Sequence, residues 1–133
     1  MYLIDTNIFL ELFLDRERRE ECEKFLSKVE NGEIIGFVTS FSLHSIAIIL
    51  EKLKGLQAYK RFLEAILNFE GLIIYSTTPK DEIEICEIAK KFNLTFDDAL
   101  HYYVARQFNL TLVSFDKDFD RTDIKRKEPK EII

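Results

Sequence analysis

Two hydrophobic periods alternate along this chain. Met1–Ile4, Ile34–Thr39, Leu72–Tyr75 and Thr111–Phe115 are short runs of apolar and β-branched residues, the pattern of buried strands. Between them the apolar positions recur three and four residues apart, which predicts helices. The first helix follows Asp5-Thr6-Asn7 and runs to about Leu14, with Ile8, Phe9, Leu12 and Phe13 at helical spacing. Arg16–Glu30 follows, with Cys22, Phe25, Leu26 and Val29 inward and Asn31-Gly32 as its stop. Ser40 or Ser42 can cap the next helix, whose apolar set is Leu43, Ile46, Ala47, Ile49 and Leu50, and Gly55 breaks it. Leu56–Asn68 is amphipathic, with Tyr59, Phe62, Leu63, Ile66 and Leu67 inward. Thr78-Pro79 opens a helix to about Phe92, with Asp81 and Glu82 in the first turn. Thr95 opens the last one, and Asn109 closes it. Lys130–Ile133 reads as a short closing strand.

Strands that alternate with long helical segments predict a parallel α/β sheet covered by helices on both faces, a three-layer α/β/α sandwich. In such sheets, ligand sites form beyond the carboxyl ends of the strands. Carboxylates gather at those places here. Asp5 follows the first strand directly. Asp116 follows the strand at Thr111–Phe115, with Asp118 and Asp120 close behind. Asp97 and Asp98 sit in the first turn of the Thr95 helix, where the helix dipole favours negative charge. If the strands of Asp5 and Asp116 are parallel neighbours, their carboxylates meet, and Asp98 joins them from the helix start. Like charges repel, so such a cluster points to a bound cation. His101, four residues after Asp97 on the same helical face, is expected to pair with it.

Composition narrows the reading without changing it. With 133 residues, 47% of them hydrophobic, the sequence predicts one domain spanning 1–133 with a core that needs no metal to fold. Nothing in it predicts a membrane span or a signal peptide. Cys22 and Cys86 suit no metal motif and are expected to be buried free thiols, consistent with a reducing cytoplasm. A net charge of −5 argues against a protein that coats nucleic acid non-specifically. It leaves room for an enzyme acting on nucleic acid, because Arg121–Lys130 carries five basic and two acidic side chains.

Three segments together carry a resemblance to a known family: YLIDTNIFLELF at 2–13, FDDALHYYVA at 96–105 and LTLVSFDKDFD at 110–120. They resemble a PIN domain of the VapC-like toxin type. The resemblance implies a metal-dependent ribonuclease, with Mg²⁺ or Mn²⁺ held by a carboxylate cluster. It implies catalytic roles for Asp5, Asp98 and Asp116, with Asp118 as a further metal ligand. Asn7 matches a polar position beside the first acid, and Ser114 stands where the family often has Thr. An RNA substrate, a small antitoxin partner and a homodimer are implied as well. One position departs from the pattern. The family usually has a Glu early in the helix after the second strand, and Phe41–Ile49 contains no acid. His44 or Ser45 would project from that helix start instead, and the second metal site lacks its ligand.

Two other functions compete with this one. A PIN-like domain without that Glu could bind RNA or a protein without cutting. A receiver or haloacid-type phosphatase would also bring carboxylates to strand ends. Such a phosphatase would read D-x-D after the first strand, where this chain has Asp5-Thr6-Asn7.

Overall fold

A computed structural model describes residues 1–133. Five strands form one parallel sheet in the order β3-β2-β1-β4-β5. They are β1 (Tyr2–Ile4), β2 (Gly36–Thr39), β3 (Leu72–Tyr75), β4 (Thr111–Val113) and β5 (Arg126–Lys127). The helices are α1 (Thr6–Phe13), α2 (Arg19–Glu30), α3 (Ser40–Lys54), α4 (Leu56–Ile66), α5 (Pro79–Phe92) and α6 (Phe96–Gln107). The central strand β1 pairs Leu3 with Phe37 on one side and with Leu112 on the other.

Alternate residues of a strand face opposite sides of the sheet, and the core divides accordingly. Ile4, Val38 and Val113 pack with Ile8, Phe9, Phe25, Ile46 and Phe62 from α1–α4. Leu3, Phe37 and Leu112 pack with Ile85, Leu100 and Val104 from α5 and α6, and with Phe119. The sheet is thus sandwiched between two helical layers, as the alternation of periods predicts. Helix starts are set locally. The Thr39 hydroxyl accepts the Ser42 N–H, so Thr39 caps α3, and neither Ser40 nor Ser42 does. Thr95 caps α6 in the same way, and Thr78 with Asp81 forms a capping box on α5. Gly71 leads into β3 where a Cβ would lie 2.1 Å from the Ile34 carbonyl oxygen, so no other residue fits.

Several expected elements shift, each for a visible reason. The closing strand is β5, not Lys130–Ile133. Pro129 lacks an N–H, and Pro129–Glu131 forms a 3₁₀ turn inside a capping box between Glu128 and Glu131. β4 ends at Val113, and the Ser114 hydroxyl that follows it bonds Asp5 and the Asp116 N–H. On α4 the inner face is Phe62 and Ile66, while Leu67 is 81% exposed, since the helix ends at Ile66. Cys22 is buried, but Cys86 is exposed: α5 buries only the stripe through Ile85.

The C-terminal segment is clasped by two arginines. Arg18 donates to Glu21 (2.8 Å) and Glu128 (2.7 Å), and its guanidinium lies 3.9 Å from the centre of the Phe115 ring. Arg126 forms a bidentate pair with Asp120 (2.9 and 3.0 Å) and donates to the Ser114 carbonyl (3.0 Å). This clasp fixes the segment that follows β4.

Candidate active site

The carboxyl ends of β1 and β4 lie side by side, and the Asp5 N–H donates to the Val113 carbonyl at 3.0 Å. Asp5 leaves β1 and caps α1: its Oδ1 accepts the Thr6 N–H at 2.8 Å. Its Oδ2 accepts the Ser114 hydroxyl at 2.6 Å, and that same hydroxyl accepts the Asp116 N–H at 3.0 Å. Ser114 therefore ties the ends of two strands together. Asp116 Oδ1 accepts the Asp118 N–H at 2.9 Å, which curls the loop so that both side chains turn the same way. Asp98 meets them from the first turn of α6, where the Thr95 cap holds its backbone N–H at 3.2 Å.

The acids fall into two groups. One carboxylate oxygen from each of Asp98, Asp116 and Asp118 lies within 4.8 Å of the other two. Asp5, Asp97 and His101 form a second group with the same spacing. No basic side chain pairs with the first group. Burial, followed by the charges of Asp116, Asp97 and Asp5, pushes the Asp98 carboxyl up to about 7. Near neutral pH the Asp98 carboxyl therefore holds a proton that a bound cation would displace.

The second group has its own base. The His101 ring is fully buried. Its Nδ1 lies 2.8 Å from the Asp97 carbonyl, which only accepts, so Nδ1 carries a hydrogen. Nε2 faces the Ser42 hydroxyl at 3.2 Å and Asp5 Oδ1 at 3.6 Å. Burial alone would lower this imidazole, but the Asp5 charge and the Asp97 carboxylate and carbonyl raise it to about 9. Asp97 Oδ1 lies 3.0 Å from Nδ1 yet has no hydrogen-bond partner, because the ring N–H points at the carbonyl.

The expected pairing of His101 with Asp97 is present. Its reach to Asp5 and Ser42 was not legible, since three separate elements supply those groups. Ser42 itself is fully buried and accepts the Thr6 hydroxyl at 2.9 Å. A serine early in a helix signals a cap, and no sequence signal distinguishes it from a site residue. Of the other expected residues, Ser114 is buried between Asp5 and Asp116. Asn7 and His44 are exposed and form no side-chain hydrogen bond within the protein. Asp120 faces away to Arg126.

Three carboxylates that converge at strand ends, partly open to solvent, form a hard oxygen donor set suited to Mg²⁺ or Mn²⁺ rather than to a soft metal. The fold also has counterparts among known proteins. The family model for the PIN domain matches residues 2–125. The chain belongs to the PIN domain family. PIN folds of known structure superimpose on nearly its whole length. VapC20 of Mycobacterium tuberculosis, a toxin described as cleaving the sarcin–ricin loop, is 17% identical with a TM-score of 0.78, covering 93% of this chain and 96% of its own. VapBC2 of Rickettsia felis, bound to a DNA fragment from its promoter, is 18% identical with a TM-score of 0.75, covering 96% and 97%. A toxin–antitoxin complex from Klebsiella pneumoniae is 18% identical with a TM-score of 0.72, covering 97% and 98%. At these identities the structural likeness speaks for the fold. A comparison of the sequence with curated proteins finds no match. No helix of this PIN domain is long and apolar enough to cross a membrane.

Proposed function

We propose that this PIN domain is a metal-dependent endoribonuclease, the toxin of a toxin–antitoxin pair, acting as one unit over residues 1–133. The observation that carries the reading is the convergence of Asp98, Asp116 and Asp118 with no basic partner. Evolution has little reason to place three acids together, one pushed up to about 7, except to receive a cation. Mg²⁺ or Mn²⁺ held there would lower the pKa of a bound water and neutralise charge on the scissile phosphate.

The chain's own residues divide the remaining work. Asp98, Asp116 and Asp118 bind the cation. Asp5 binds it with them from the end of β1 and, through Ser114, sets the direction of Asp116. Asn7, exposed next to Asp5, is free to position substrate, and His44 offers a polar side chain at the start of α3. Lys125 and Lys127 are exposed and unpaired, and they supply phosphate-backbone contacts for RNA. A small antitoxin covers the site in the cytoplasm, and the protein works as a homodimer. The Klebsiella and Rickettsia neighbours, one described as a toxin–antitoxin complex and the other as VapBC2, support that partner.

The test is cleavage of varied RNAs by purified protein with Mn²⁺ or Mg²⁺, with EDTA, and with Asp98→Asn purified identically. Cleavage that needs metal and disappears in the variant upholds the proposal. Equal cleavage by both proteins traces it to a contaminant.

A second reading has one specific observation behind it. The start of α3 offers Ser42, His44 and Ser45 and no acid. A PIN domain lacking that ligand would bind RNA or a protein without cutting. Metal-independent RNA binding with no cleavage above Asp98→Asn would select this alternative.

A further inference from the structure

His101 has no task in the proposed chemistry, yet its ring is fully buried behind the mouth of the site, among polar groups from three elements. We propose that His101 is a positioning residue: through Ser42 it locks the start of α6 to the starts of α1 and α3, so that Asp98 and Asp5 face the same cation. The inference rests on the metal reading above.

The four acids reach the mouth by two routes. Asp5 is fixed where β1 ends, by the Thr6 N–H at 2.8 Å and the Ser114 hydroxyl at 2.6 Å. Asp116 and Asp118 follow from it, because Ser114 also holds the Asp116 N–H and Asp116 holds the Asp118 N–H. Asp98 has no such tie. Its backbone N–H is held by Thr95, which caps the same helix. The carboxylates it faces, Asp116 and Asp118, repel it. Three other side chains of α6 point away from the mouth: Tyr103 donates to Asp81, and Tyr102 and Arg106 donate to Asp123.

His101 supplies the missing tie. It lies three residues after Asp98, on the same helical face. Its Nε2 meets the Ser42 hydroxyl at 3.2 Å, and the ring edge stands 3.6 Å from Asp5 Oδ1. The ring cannot turn freely, because Nδ1 donates to the Asp97 carbonyl at 2.8 Å. Ser42 is equally fixed. Its N–H is held by the Thr39 cap at 3.0 Å, and its hydroxyl accepts the Thr6 hydroxyl at 2.9 Å. Thr6, Ser42 and His101 are all buried, so water cannot replace these bonds without a rearrangement. A chain of polar contacts thus runs from the residue after Asp5 to the residue one turn past Asp98. An apolar ring at position 101 would fill the space and leave Ser42 unbonded. α6 would then keep its packing and lose the bond that sets Asp98 against Asp5.

The experiment is Mn²⁺ titration of the full chain, read from the electron paramagnetic resonance of the free ion. Pulsed measurement of nitrogen coupling to the bound ion and circular dichroism accompany it. The variants are His101→Phe, Ser42→Ala and the two combined. Each single variant should bind Mn²⁺ at least ~10-fold more weakly than the natural protein, the usual cost of removing a group that orients a metal ligand. The combination should be no weaker than the weaker single variant, because both break the same tie. Unchanged affinity in folded His101→Phe would mean that the ring only fills space, and would overturn the inference while leaving the metal reading intact. Losses that multiply in the combination would overturn it too. So would a nitrogen coupling that vanishes in His101→Phe, which would make His101 a ligand. No Mn²⁺ on the natural protein would overturn the metal reading and the inference together. Should His101→Phe not fold, Ser42→Ala decides: weaker binding upholds the inference, and unchanged affinity overturns it.

Discussion

At the C-terminal clasp, Asp120 and Glu128 share Arg126, while Glu128 and Glu21 share Arg18. At the mouth, Asp116 and Asp118 from the loop after β4 and Asp98 from α6 share only one another. The two regions are joined covalently through residues 114–120 and treat negative charge in opposite ways. In the clasp, the arginines lower the Asp120 and Glu128 carboxyls, chiefly through side-chain hydrogen bonds. In the mouth, burial and like charges raise Asp98 to about 7. The paired acids hold the loop still, and the unpaired ones use that stillness. A cation site needs both: ligands that repel one another and a scaffold that keeps them from moving apart.

The comparison can be broken from either side. Asp98→Asn removes one ligand, and RNA cleavage should fall at least ~100-fold, more than the loss of a supporting group would cause. Initial rates under saturating Mn²⁺ measure this. Arg126→Ala attacks the scaffold. It strands the part-buried Ser114 carbonyl and should cost about 2 kcal/mol, read as a lower urea midpoint with an unchanged slope.

Smaller effects sharpen the contrast. Cation binding must displace the proton held on Asp98, so apparent Mn²⁺ affinity should climb with pH and level off above about 7. Calorimetry at several pH values would show it, and a flat profile would contradict a proton on Asp98. In metal-free buffer the sign for stability follows from the same group. Its carboxyl is higher when folded than unfolded, so its contribution is most favourable at low pH and is lost as pH rises toward about 7. Asp98→Asn should therefore match the natural protein near pH 4 and exceed it at pH 8, by ~1 kcal/mol after allowance for solvent screening. Thermal melts in EDTA at the two pH values test this. Arg19→Ala should change stability by less than ~0.5 kcal/mol, because its pairs with Asp15 and Glu23 are exposed.

The sequence made the sheet and most of the mouth legible because both obey local rules. Apolar runs mark strands whether or not one knows their neighbours, and an acid directly after a run marks a strand end. Asp5 and Asp116 are marked that way, and Asp98 by its place in the first turn of the helix that Thr95 opens. β5 escaped notice because Arg126–Lys127 is charged and only two residues long, a strand only through its bonds to β4. The role of His101 was hidden for another reason. Its neighbours Asp5 and Ser42 lie on α1's cap and on α3, and helical spacing reveals only Asp97. The amphipathic pattern of Leu56–Asn68 turns Leu63 and Leu67 inward as well, whereas the packing of α4 selects Phe62 and Ile66.

The Ser114 hydroxyl has a consequence for protein synthesis. It joins Asp5 to the Asp116 loop across 109 residues of sequence. At ~5–20 residues per second, a ribosome needs roughly 5–20 s to travel that far. Throughout that interval the emerging chain carries Asp5 with no strand β4 beside it. A protein with damaging chemistry would be harmless to the ribosome that makes it until almost all of the fold has been translated.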